Sequence, residues 1–77
     1  MGGKGILAAF GHVVRQARVS QHLTQEQLAL DAGLNRNFVM SIEAGRRNPS
    51  ALTIFALAKA LGISATALVS RTEKGLR

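Results

Sequence analysis

TQEQLALDAGLNRNFVMSIEAG, residues 24–45, reads as two short helices joined by a tight turn. Thr24 is a good N-cap, and Gln27 three residues later completes a capping-box pattern. Leu28, Ala29 and Ala32 fall at helical spacing and give the first of these helices one apolar stripe. Gly33 follows, where a left-handed backbone residue ends a helix at little steric cost. Asn35 caps the second helix, whose inward face is Val39 and Ile42 and whose stop is Gly45.

Composition supports a small helical body around that stretch. The 77 residues suffice for one domain, which buries only about 60% of its unfolded surface. Hydrophobic residues make up 47% of the chain and three Phe are its only aromatics, so the core must be Leu, Ile, Val and Ala. Such a core suits a helical bundle better than a sheet. The net charge of +6 and the pI near 11.6 favour a polyanionic partner. The excess is uneven: residues 1–34 hold three basic and two acidic side chains, residues 35–77 seven and two. The basic half therefore begins at the second helix of the quoted stretch.

Without cysteine there is no disulfide framework, thiolate metal site or thiol nucleophile. That fits a reducing cytoplasm, the compartment expected here. The opening Met-Gly-Gly-Lys-Gly-Ile resembles neither a secretory signal nor a myristoylation site, because Ile6 stands where Ser or Thr would be wanted. No uncharged run approaches the roughly 18 residues needed to span a membrane. His12 and His22 lack the i, i+3 or i, i+4 relation of paired metal ligands, and the acids are scattered singly. No nucleophile has a base at a suggestive spacing and no glycine-rich phosphate loop follows a strand. The expectation is a chain that is not an enzyme and uses no cofactor, metal or small-molecule effector.

In chain order, the glycine-rich residues 1–5 read as a disordered tail. A first helix runs from about Leu7 to Gln21, with Phe10, Val14 and Ala17 at i, i+4, i+7 and Leu23 closing the core below the reversal. Arg15 and Arg18 near its carboxyl end complement the helix dipole. After the quoted stretch comes the loop Arg46-Arg47-Asn48-Pro49-Ser50, in which Pro49 ends any approaching helix and Ser50 caps the next. A fourth helix spans Ala51–Leu61, with Ile54, Leu57, Ala58 and Leu61 on one face and Gly62 as its stop. Ser64 caps a short fifth helix from Ala65 to about Ser70 that carries Leu68. Residues 71–77 read as a flexible tail, leaving 6–70 as the single domain with no effector domain attached.

The pieces FGHVVRQAR, LTQEQLALDAGLNRNFVMSIEAGRRNPS, LAKALGIS and the closing Leu68 make residues 10–69 similar to the Xre/Cro–cI class of helix-turn-helix transcriptional regulators. The resemblance implies an all-α, five-helix lambda-repressor-like DNA-binding domain with its helix-turn-helix at helices two and three. It implies a sequence-specific double-stranded DNA-binding regulator, of repressor or restriction–modification controller type. It also implies that Arg18 of helix one pairs with Glu43 ending helix three, and that Gln25 hydrogen-bonds a backbone phosphate and braces the recognition helix. His22 stands where the family has Gly, so a left-handed turn there costs more. Val13 and Val19 stand where relatives carry charges.

A recognition helix points its amino-terminal residues at base edges. The outward residues are Arg36, Asn37, Met40, Ser41 and Ala44. Arg36 suits bidentate contact with guanine, and Asn37 suits adenine. Ser41 discriminates weakly, and Met40 suits a thymine methyl. The competing role for Arg36 is a solvated or phosphate-bound cation. Phe38 is read as core-edge packing before a thymine or sugar contact. Phosphates fall to Gln25, Asn35, Arg46, Arg47 and Asn48, with Asn35 available only if capping leaves it free. Asp31 and Glu26 read as solvated.

Exposed apolar side chains are expected at Val13, Val19, Leu52, Phe55, Ala56 and Ala67, more than a small solvated domain needs. They suggest a homodimer through helices four and five, with Leu52, Phe55, Ala67 and Val69 near its two-fold axis and a pseudo-palindromic operator as its target. The alternative is a protein-interaction module, antitoxin- or coactivator-like, that keeps the scaffold and reads no DNA.

Overall fold

The computed structural model describes residues 3–77 and contains five helices: α1 Gly3–Ser20, α2 Gln25–Ala32, α3 Arg36–Glu43, α4 Ala51–Leu61 and α5 Ala65–Lys74. Local chemistry sets their boundaries. The Thr24 hydroxyl accepts from the Gln27 N–H at 3.0 Å while the Gln27 side chain accepts from the Thr24 N–H at 2.8 Å, so α2 opens on a complete capping box. Asn35, Ser50 and Ser64 cap α3, α4 and α5 by the same side-chain-to-N3 bond. Gly33 and Gly62 end α2 and α4 in the left-handed region.

The core lies where all five helices converge. Val14, Leu28, Val39, Leu57 and Leu68 are wholly buried, one from each helix, and Ile42 and Leu61 are nearly so. Burying side chains of this size contributes about 1.5–3 kcal/mol apiece. α1 is the central rod, packed against α3, α4 and α5, while α2 packs on α3 and α4. The α4–α5 pair turns by 101°. Across the end of the bundle, the Gln21 carboxamide donates to the Leu61 carbonyl at the last turn of α4.

Three expectations need correction. The first helix begins at Gly3, so the supposed tail at 1–5 is helical over its described part; residues 1–2 lie outside the described residues. Its opening turns lie alongside α5, whose C-cap Gly75 sits close to Ala9. The second concerns 71–77: α5 continues through Lys74, Thr72 is buried at 7% exposure, and its hydroxyl donates to the Leu68 carbonyl at 2.9 Å. The third is Val13, which is 6% exposed and belongs to the core with Phe10, Val14 and Ala17. Ala56 and Ala67 are half-buried, whereas Val19, Leu52 and Phe55 are exposed. No single helix among the described residues is long and apolar enough to cross a membrane.

Candidate nucleic-acid interface

α3 divides sharply between its faces. Val39 and Ile42 point into the core at 0% and 1% exposure, while Arg36, Asn37 and Met40 are exposed and Ser41 is half-buried. The Asn35 side-chain oxygen accepts from the Phe38 N–H at 2.8 Å. That oxygen is therefore committed to the cap, and only the NH2 of Asn35 remains for a ligand.

The carboxyl end of α3 is pinned by a polar network. Arg18 Nε donates to Glu43 Oε2 at 2.7 Å and Arg18 Nη2 to Oε1 at 3.0 Å, a bidentate pair. Arg18 Nη1 donates to the Leu23 carbonyl at 2.8 Å, tying in the α1–α2 turn. Gln25 Nε2 donates to Glu43 Oε1 at 3.1 Å, so the start of α2 is joined to the same carboxylate. The pair is largely excluded from water, with side-chain exposures of 12% for Arg18 and 4% for Glu43. Its hydrogen bond to Glu43 raises the Arg18 pKa, with a smaller charge attraction, against burial that lowers it. A cation whose pKa is raised on folding stabilises below its unfolded value, so the pair's contribution from Arg18 is fully present at neutral pH.

The candidate contact residues, Asn48 excepted, line three notches about α3 and its flanking segments. Gln25 and Arg36 line a shared notch between the amino ends of α2 and α3. Asn35, Asn37, Phe38, Ser41 and Arg47 line a second. Asn37, Met40, Ser41 and Arg46 line a third. Asn48 is exposed in the loop but lines none of the three. The Arg47 guanidinium lies 4.9 Å above the centre of the Phe38 ring. Phe38 is half-buried against the core, so this cation–π contact holds the basic loop against α3. Sequence reasoning placed Phe38 at the core's edge but missed its hold on Arg47, because the two come together only through the loop. His22, at φ 59°, adopts the left-handed conformation in the turn before α2.

Between α4 and α5, Phe55 and Val69 share a shallow groove with Ile54 and Ala65, rimmed by Glu73. Leu52 is 84% exposed, Phe55 66% and Val69 50%. Leu52 and Ala67 do not line that groove.

Comparison with known proteins fits this geometry. The sequence profile of the family described as Helix-turn-helix matches residues 14–68. This chain belongs to the helix-turn-helix family. Among the similar proteins, the control protein C.BamHI of Bacillus amyloliquefaciens is 40% identical over 67 residues, 86% of this chain and 83% of that protein. The immunity repressor protein of Bacillus phage phi105 is 44% identical over 59 residues, 77% of this chain and 41% of that protein. The crystal structure of the restriction-modification controller protein C.AhdI from Aeromonas hydrophila superposes with a TM-score of 0.79 at 42% identity, covering 80% of this chain and 94% of that one.

Proposed function

We propose that the chain is a sequence-specific double-stranded DNA-binding transcription regulator, a repressor or restriction–modification controller working in the cytoplasm. It reads a pseudo-palindromic operator as a homodimer. The observation that carries this reading is α3 itself: one face is sealed in the core, while the other offers Arg36, Asn37, Met40 and Ser41 beside a basic loop. Relatives named as control proteins and an immunity repressor support it.

The roles follow from chemistry. Arg36 and Asn37 read base edges, with Met40 and Ser41 contributing weaker apolar and polar contacts one turn on. Arg46, Arg47 and Asn48 hold phosphates, joined by the NH2 of Asn35 and by the amino end of α2 at Gln25. Arg18 and Glu43 form the structural pair that fixes the helix and cancels a carboxylate next to a polyanion. Leu52, Phe55, Ala67 and Val69 face the partner subunit. The reading assigns no catalysis.

Selection from a random duplex pool tests specificity and half-site spacing together. The expected result is an enriched inverted repeat with half-sites about one helical turn apart. If a dimer neutralises six phosphates, log affinity falls against log salt with a slope of about −5. The exposed Leu52, Phe55 and Val69 favour one competing reading, a module that binds another protein and no DNA. Salt-independent or absent duplex binding would decide for it.

A further inference from the structure

Gly11 lies inside α1, where glycine weakens a helix relative to alanine, and it is buried against the last turn of α3. A Cβ added there would overlap the Ile42 carbonyl oxygen and sit 2.7 Å from the Glu43 carbonyl oxygen and 2.9 Å from its carbon. These are backbone atoms of α3. They cannot swing aside as a side chain does, so α3 would have to move as a body. Three residues earlier α1 repeats the contact: a Cβ on Gly45 would lie 3.0 Å from the Ala8 Cα. Further along the rod, Arg18 holds Glu43 at 2.7 Å. Ala8, Gly11 and Arg18 fall on one stripe of α1 by helical spacing.

All three holds grip the carboxyl end of α3 or the glycine that follows it. The end bearing Arg36 and Asn37 lies about 9 Å away along the axis. A small change of seat at Ile42 and Glu43 is therefore carried along the helix to the base-reading end. Base contacts depend on placement within a fraction of an ångström, whereas long arginine side chains reaching phosphates adapt. We propose that Gly11 is a positioning residue, setting the depth and angle of α3 and so the sequence specificity of DNA binding rather than its general affinity. This rests on the regulator reading above.

The test compares Gly11→Ala with Gly3→Ala, whose added Cβ meets nothing within 4 Å. Both are measured on the duplex that the unaltered chain selects from a random pool and on a random duplex of equal length. Amide resonances of residues 36–43 are recorded in the DNA-free chains. Gly11→Ala is expected to lose at least about ten-fold on the selected duplex but less than about three-fold on the random one. Its α3 resonances shift, and Gly3→Ala shows neither effect. Equal losses on both duplexes, or unshifted α3 resonances, overturn the proposal. If Gly11→Ala does not fold, Ala8→Ile crowds the same end of α3 from an exposed position and must show the same selective loss; an unselective loss overturns the proposal. If the unaltered chain enriches no duplex, the regulator reading fails, while the amide resonances still decide whether Gly11 seats α3.

Discussion

Glu43 places a negative charge on a helix proposed to face a polyanion, and the Arg18 fork with the Gln25 amide is what makes it tolerable. Among the described residues, Arg36 and Arg46 have no carboxylate partner, and their effects should separate. Arg36→Ala is expected to cost about 1–3 kcal/mol and to relax one base position. Arg46→Ala should weaken every sequence alike and lower the salt slope by roughly 1 per contact. Competition titrations against single-base operator variants distinguish the two; identical losses across all sequences would refute the division of labour. His22 is strained in a different way, since a left-handed residue with a Cβ costs about 1–2 kcal/mol. His22→Gly recovers part of this, offset by the greater freedom of glycine in the unfolded chain. A net gain of about 0.5–1 kcal/mol is expected, read as a rise of a few degrees in melting temperature. An unchanged or lower midpoint would mean that the turn carries no such strain. At this scale the sequence was legible wherever a residue's own spacing was followed. Val13 sits three residues after Phe10 and one before Val14, on the apolar face of α1. It was misjudged because its charge-bearing counterparts in relatives outweighed that spacing. Gly11 went unread, since a glycine in a helix advertises no contact until the facing backbone is in place.

Among the elements, α2, α3 and α4 could be bounded closely from Thr24, Asn35, Ser50, Gly33 and Gly62, because caps act through neighbours two or three residues away. The outer ends of α1 and α5 could not. Glycines at 3 and 5 and the polar run after Ser70 have the composition of tails, yet α1 is helical from Gly3, α5 runs through Lys74, and the two helices pack together with Ala9 beside Gly75. Their helicity is a tertiary effect with no local signal. Thr72 provides the check. In a flexible tail Thr72→Asp would be neutral; buried on α5 it should cost about 2 kcal/mol or more by leaving a charge without a partner. Chemical denaturation with an unchanged midpoint would return 71–77 to the status of a tail. Asn35→Ala belongs to the same scale. Losing the α3 cap should cost about 1 kcal/mol, and hydrogen exchange should quicken first at the amides of its opening turn.

For the whole molecule, the charge imbalance and the apolar flank make separate statements about partners. The basic half runs from α3 onward, and the exposed Leu52, Phe55 and Val69 stand on α4 and α5. Phe55→Glu is expected to hold the chain monomeric in sedimentation at micromolar concentration. It should also lower affinity for the full operator by two orders of magnitude or more while leaving a single half-site nearly unaffected, as loss of a linked second site requires. A dimer surviving that change would move the two-fold axis elsewhere. The one-sidedness of α3 also bears on how such proteins diverge. Positions 36, 37 and 40 carry no part of the core, and the grip on the helix lies at its other end. New letters can be written at those three positions without recasting the body that holds them. On the base-reading role proposed for them, a lineage changes its operator by a handful of surface replacements, and melting temperature should stay nearly flat across such a series.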